Sequence, residues 1–127
     1  MSTTDVTTVS TLVATYISCW NETDDARRQH LIGMAWEPEG TYTDPLFDVK
    51  GAEAIDGLIG GFQQQYPGLV FVQTGEIEEH HHLVRFTWDL LAPNGAVIAK
   101  GADVGTMSGD GKLLAIAGFF DQAPVLG

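Results

Sequence analysis

Two aspartates and a tyrosine carry the chemistry this chain can do. Asp103 lies in a strand-like run whose alternate positions, Val97, Ala99, Gly101, Asp103, Gly105 and Met107, are otherwise small and apolar. If that face turns inward, Asp103 is a carboxylate in a low dielectric. Burial then disfavours its charged form unless a cation or several donors compensate. No basic residue shares that face of the run, and an acid so placed is a candidate functional group. A β-bulge that slipped the parity would expose it instead. Asp44 precedes Pro45, which has no amide hydrogen and biases the residue before it toward extended backbone. Asp44 is therefore expected at the mouth of a hairpin, looking into a pocket. Tyr16 falls inside the apolar face of a predicted helix, with Leu12 and Val13 one turn before it and Trp20 one turn after.

Other reactive types weigh less. His80, His81 and His82 are consecutive. Neighbours in a strand point to opposite faces, so only His80 and His82 could share a metal with Glu78 or Glu79. The run falls at a turn, where a solvated polar cluster is the ordinary outcome, and no metal site is predicted. Cys19 is the only cysteine, which excludes an intrachain disulfide and a cysteine-based metal knuckle. Gly109, Asp110 and Gly111 form turn chemistry, not a phosphate loop, because no helix follows.

These groups must be positioned by the elements around them. Val9, Leu12, Val13, Tyr16, Ile17 and Trp20 recur at helical spacing and predict a first helix from Asp5 to Trp20, ended by Asn21. Thr23 or Asp24 can cap a second helix through Ala26, Leu31, Ile32 and Met34. Glu37 to Gly40 reads as a loop. Thr41 to Thr43 and Phe47 to Val49 read as short strands about the Asp44-Pro45 break. Ala52 to Gln65 is a third helix with Ile55, Leu58, Ile59 and Phe62 as its buried stripe. After Tyr66-Pro67-Gly68 the period changes to two. Strands are predicted over Val70 to Glu78, Leu83 to Leu91, Ala96 to Met107 and Leu113 to Phe120, joined by hairpin turns. Helices followed by an antiparallel meander give an α+β fold, in which three N-terminal helices pack on one face of a curved sheet.

The bulk composition bounds partners. The 127 residues predict one domain spanning 1–127. A formal net charge of -11 argues against nucleic acid or an anionic membrane, which need clustered Lys and Arg. The first residues lack a basic cluster and an apolar core, so no signal peptide is expected. No apolar run approaches the ~20 residues of a membrane span. The expectation is a soluble, cytoplasmic protein.

Five short stretches carry a resemblance that covers about Val9 to Asp121: Ala14-Thr15-Tyr16, Tyr42-Thr43-Asp44-Pro45, Lys50-Gly51, Gly101-Ala102-Asp103-Val104 and Gly118-Phe119-Phe120. The layout resembles the nuclear transport factor 2-like cone fold, in particular its SnoaL-like and ketosteroid isomerase-like branches. The resemblance implies a largely antiparallel, strongly curved sheet enclosing a pocket. It also implies catalytic roles for Tyr16, Asp44 and Asp103. Asp44 would be the general base, and Tyr16 with a protonated Asp103 would donate to a developing oxyanion; this enzyme class is a standard worked case of tuned carboxyl acidity. Trp36 and Ile59 stand where such isomerases carry tyrosines supporting the catalytic one. The Arg-x-Asp pattern of epoxide hydrolases with this fold is absent, since Phe86, Thr87 and Trp88 follow Arg85.

Around that centre, Trp20, Trp36, Leu58, Phe62, Trp88 and Phe120 are expected on inner faces. Singly each is an ordinary core residue; together they suit a flat apolar ligand. Gly118 would leave such a ligand room, and His82 would lean over the pocket mouth. Two readings follow. One is a cofactor-free acid–base isomerase or cyclase acting on a hydrophobic carbonyl compound. The other is a non-catalytic small-ligand-binding or dimeric assembly module. By analogy a homodimer would form through the outer faces of the long strands, with Lys100, Thr106, Ile98, Ala102 and Val104 at the interface.

Overall fold

The computed structural model describes residues 6–122. The expected helix start at Asp5 lies outside the described residues. Helices α1 (Val6–Asn21) and α2 (Asp25–Ala35) are followed by strands β1 (Trp36–Thr43) and β2 (Asp48–Lys50) and then by helix α3 (Ala52–Gln65). Four long strands follow: β3 (Val70–His80), β4 (Leu83–Leu91), β5 (Val97–Met107) and β6 (Leu113–Gln122). The six strands form one curved sheet in the order β2-β1-β6-β5-β4-β3. Strands β3 to β6 are an antiparallel meander. β1 joins β6 in parallel and β2 antiparallel. The fold is therefore α+β, with a sheet that is largely antiparallel.

The helical period buries Val9, Leu12, Val13, Tyr16, Cys19 and Trp20 of α1. Asp24 caps α2 by accepting the Arg27 amide at 2.9 Å. The buried side of α2 is Arg28, Ile32 and Ala35, while Met34 turns outward at 50% exposure. Arg28 ties α2 to α3. Its guanidinium donates to Asp25 at 2.7 Å, Asp56 at 2.7 Å and Gln63 at 3.0 Å. Gly60 permits this approach, because a Cβ there would stand 3.0 Å from Arg28 Nη2. A glycine inside a helix otherwise costs about 1 kcal/mol against alanine.

Three local expectations are corrected. Residues 37–40 are not a loop but the first half of β1. Trp36 faces Leu113 and Thr41 faces Ala115, so the intervening residues bulge out of the ladder. A bulge leaves Pro38 without a ladder bond to forgo. Phe47 belongs to the turn and not to β2. Its carbonyl accepts the Asp44 amide at 2.8 Å, and its own amide is held by the Asp44 carboxylate at 2.9 Å. Val97 lies outside the inner face at 41% exposure, because the register slips where Leu90 faces Ala99 but Leu91 faces Val97.

The rest of the parity holds. Val84, Phe86, Trp88 and Leu90 of β4 and Ala99, Asp103 and Met107 of β5 are buried on one face. Gly101 is bare because a Cβ there would overlap the Trp88 indole, which lies across it. Among the described residues no helix is long and apolar enough to cross a membrane.

Candidate active site

Asp103 stands in β5, an inner strand of the meander, opposite Phe86 on β4 and Gly118 on β6. It is 3% exposed. The Tyr16 hydroxyl donates to its Oδ2 at 2.6 Å, and the Trp88 indole N–H donates to its Oδ1 at 3.1 Å. Burial pushes its pKa up, the two donors oppose that, and the nearby Asp44 charge adds to the rise. The result is a value of about 6 against an ordinary 3.8. Among the described residues no cation touches it, so desolvation wins.

Tyr16 reaches Asp103 because α1 lies across the inner face of the sheet. Its ring is gripped edge-on by Trp36 (centroids 5.3 Å apart) and Phe86 (5.5 Å). Burial, followed by the Asp103 charge, raises the phenol well above its ordinary 10. It stays a proton donor at any physiological pH.

Asp44 is held by its own turn. Oδ1 accepts the Leu46 amide at 2.8 Å and the Phe47 amide at 2.9 Å, and Oδ2 accepts the Tyr42 hydroxyl at 2.6 Å. Pro45 supplies the preset backbone angle for this Asx turn. Tyr42 is buried, and burial followed by the Asp103 and Asp44 charges raises its phenol well above 10. A Cβ at Gly118 would come 2.9 Å from Asp103 Oδ1, 3.4 Å from Asp44 Cβ and 3.6 Å from the Tyr42 hydroxyl. The bare glycine therefore makes room for the two carboxylates to approach.

Tyr16, Asp44 and Asp103 all border one cavity of about 60 Å³. Trp20, Leu58, Phe62, Trp88 and Phe120 line it as well. Three expected contacts do not. Trp36 is 1% exposed and lies behind Tyr16, with its indole N–H donating to the Thr41 carbonyl at 3.3 Å. Gly118 serves the acidic pair as described. His82 is exposed in the two-residue β3–β4 turn, where His81 and His82 take left-handed φ values of 49° and 65°. Six residues of extended strand, roughly 20 Å, separate it from Trp88, so it caps the opposite end of the sheet. Among the described residues no group of three metal-binding side chains converges.

Seven lining residues were missed, Tyr42 and Phe71 among them. Tyr42 precedes Asp44 by two positions on a strand, a spacing that puts both side chains on one face. Phe71 carries no comparable signal. It is fixed from a distance by Asn21, whose amide donates to the Phe71 carbonyl at 2.8 Å and accepts its N–H at 2.9 Å. That clamp sets Phe71 against Trp20 and Trp88, each with centroids 5.3 Å away.

Neither a protein-family model nor a curated protein sequence matches the chain. Solved structures do. A candidate isomerase of the SnoaL-like family from Agrobacterium tumefaciens strain C58 is 37% identical, with a TM-score of 0.87 over 91% of this chain and 99% of that one. A SnoaL-like polyketide cyclase candidate from Jannaschia sp. CCS1 is 15% identical, with a TM-score of 0.73 over 95% and 90%. A nuclear transport factor 2-like protein of unknown function from Exiguobacterium sp. 255-15 is 18% identical, with a TM-score of 0.70 over 88% and 99%. The last two likenesses concern the fold alone.

Proposed function

The chain belongs to the SnoaL-like family, and we propose that it binds a hydrophobic carbonyl compound and moves a proton at the carbon beside the carbonyl, without a cofactor. The observation that carries this is the buried Tyr16–Asp103 pair close to Asp44 on the lining of one apolar cavity. Asp44 Oδ2 takes the α-proton, the C–H pair becomes a carbon–carbon double bond, and the carbonyl π pair moves onto its oxygen. The Tyr16 O–H turns from Asp103 Oδ2 to the enolate oxygen, which also accepts a hydrogen bond from Asp103 in its protonated form. Asp44 then returns the proton to a different carbon, or the enolate attacks within the same molecule and closes a ring. Donors fixed in a dry site need no reorganisation as the charge develops.

Asp103 can donate only while protonated, so binding of a neutral ligand must follow its titration. The affinity of a conjugated cyclic enone, read by Trp fluorescence, is expected to be flat below about pH 6. Above that it should fall about tenfold per pH unit. Asp103→Asn, a permanent donor, should remove the fall. A wild-type affinity that does not change between pH 5 and pH 8 overturns the donor role of Asp103.

A non-catalytic ligand-binding module is the second reading. It is favoured by Asp44 having both oxygens already engaged. We also propose that the outer sheet face, around the 57%-exposed Phe119 and its neighbour Ala102, pairs with a second copy of the chain. Lys100, Val104 and Thr106 would border that contact. Sedimentation equilibrium should show a dimer that Phe119→Glu converts to monomer; a monomeric wild type removes this proposal.

A further inference from the structure

The inner cavity is small for the ligand class it would serve. About 60 Å³ takes a planar head, whereas sites for drug-sized molecules begin near 300 Å³. A second hollow of about 340 Å³ lies along α3, lined by Leu46, Phe47, Leu58 and Phe62 together with Gly57 and Gly61. The first four of these side chains also line the inner cavity. The two spaces therefore share one apolar wall, and Leu46 and Phe47 stand 63% and 44% exposed on it.

The glycines of α3 separate into two kinds. Gly60 is bare because Arg28 needs the space. Gly57 and Gly61 have no such reason, since a Cβ at either would meet nothing within 4 Å. Their weak helix propensity is not offset by any close packing within the described residues. What their lack of side chains does is keep the groove open along α3.

We propose that this groove holds the aliphatic tail of an elongated ligand whose oxygen-bearing planar head lies at Tyr16 and Asp103. The tail leaves the cavity between the Leu46–Phe47 turn and the Leu58–Phe62 ridge, and crosses α3 over Gly57 and Gly61. The class of ligand is a flat carbonyl or phenol ring bearing a linear alkyl chain. The head position rests on the proposed function above, and the test separates the two.

Calorimetric titration of p-cresol and 4-hexylphenol against wild type, Gly57→Leu and Gly61→Leu provides it. Leucine is a stronger helix former, and each added side chain points into the groove, so the variants keep the fold. For wild type, affinity is expected to rise about fourfold per buried methylene. In either leucine variant 4-hexylphenol should bind no better than p-cresol, while p-cresol binding stays unchanged. A chain-length gain that survives both substitutions, or no gain in wild type, overturns the tail assignment. If p-cresol fails to bind while the 4-hexylphenol gain still depends on Gly61, the groove stands and the head site falls. If neither compound binds, both fall.

Discussion

Asp103→Asn is expected to stabilise the protein by about 3 kcal/mol at pH 8 and by less than about 1 kcal/mol at pH 4. The folded chain holds the Asp103 proton more tightly than the unfolded chain does, with a value of about 6 against 3.8. The stability contributed by the protonated, buried acid is therefore complete below about pH 3.8. It drains away as pH rises and is gone above about pH 6, where the folded state must carry a desolvated charge. Two donors, Tyr16 and Trp88, soften that penalty without removing it. Asparagine keeps the shape and carries no charge. Its carbonyl can accept the Trp88 N–H, and its amide can donate to the Tyr16 oxygen. Urea unfolding of both proteins at the two pH values measures the difference. Equal stability at pH 8 would mean that Asp103 titrates as an ordinary exposed acid, and the donor role would go with it.

A pattern with a fixed period is legible in the sequence alone. Helical spacing placed Tyr16 on the buried face of α1, and strand alternation placed Asp103 on the buried face of β5. Both rules act within one element, so one sequence suffices. What lies between elements was not readable. Trp36 and Phe71 are both aromatics on inward faces. Only the crossing of α1 over the sheet decides that Trp36 backs Tyr16 while Phe71 reaches the cavity. His82 was misplaced for a related reason: local sequence identifies a hairpin, but not which end of the sheet it closes. Residues 37–40 carry a proline and a glycine, and only the parallel partner β6 reveals that they form a bulged strand.

The glycines show the same division. Gly101 and Gly118 sit in strands, where glycine usually weakens packing. Gly101 leaves space for the indole whose N–H holds Asp103, and Gly118 leaves space between Asp103 and the Asp44–Tyr42 pair. The acid site thus depends on missing side chains as much as on present ones, and a single sequence does not announce which neighbour a missing side chain accommodates.

Asp44→Asn is expected to stop exchange of the ligand α-proton into deuterated water, a loss on the order of 10²–10⁴-fold, with the fold and ligand affinity retained. Asparagine keeps an oxygen where Oδ1 accepts the Leu46 and Phe47 amides, so the turn survives. Its amide nitrogen replaces the oxygen that faces Tyr42 and can donate to the Tyr42 hydroxyl oxygen. What disappears is the lone pair able to take a proton. Asp44→Ala differs, because it also leaves the two turn amides without an acceptor. That adds a structural cost of about 1 kcal/mol or more and confounds the reading. Exchange followed by proton NMR on a conjugated ketone discriminates between the two functions. Wild-type exchange that vanishes in Asp44→Asn identifies Asp44 as the base and the cavity as an active site. Exchange that is absent from wild type above the solvent rate, with the ketone still bound, makes the same cavity a receptor. The three hydrogen bonds on Asp44 would then serve to hold the Leu46–Phe47 turn over the ligand, not to orient a base.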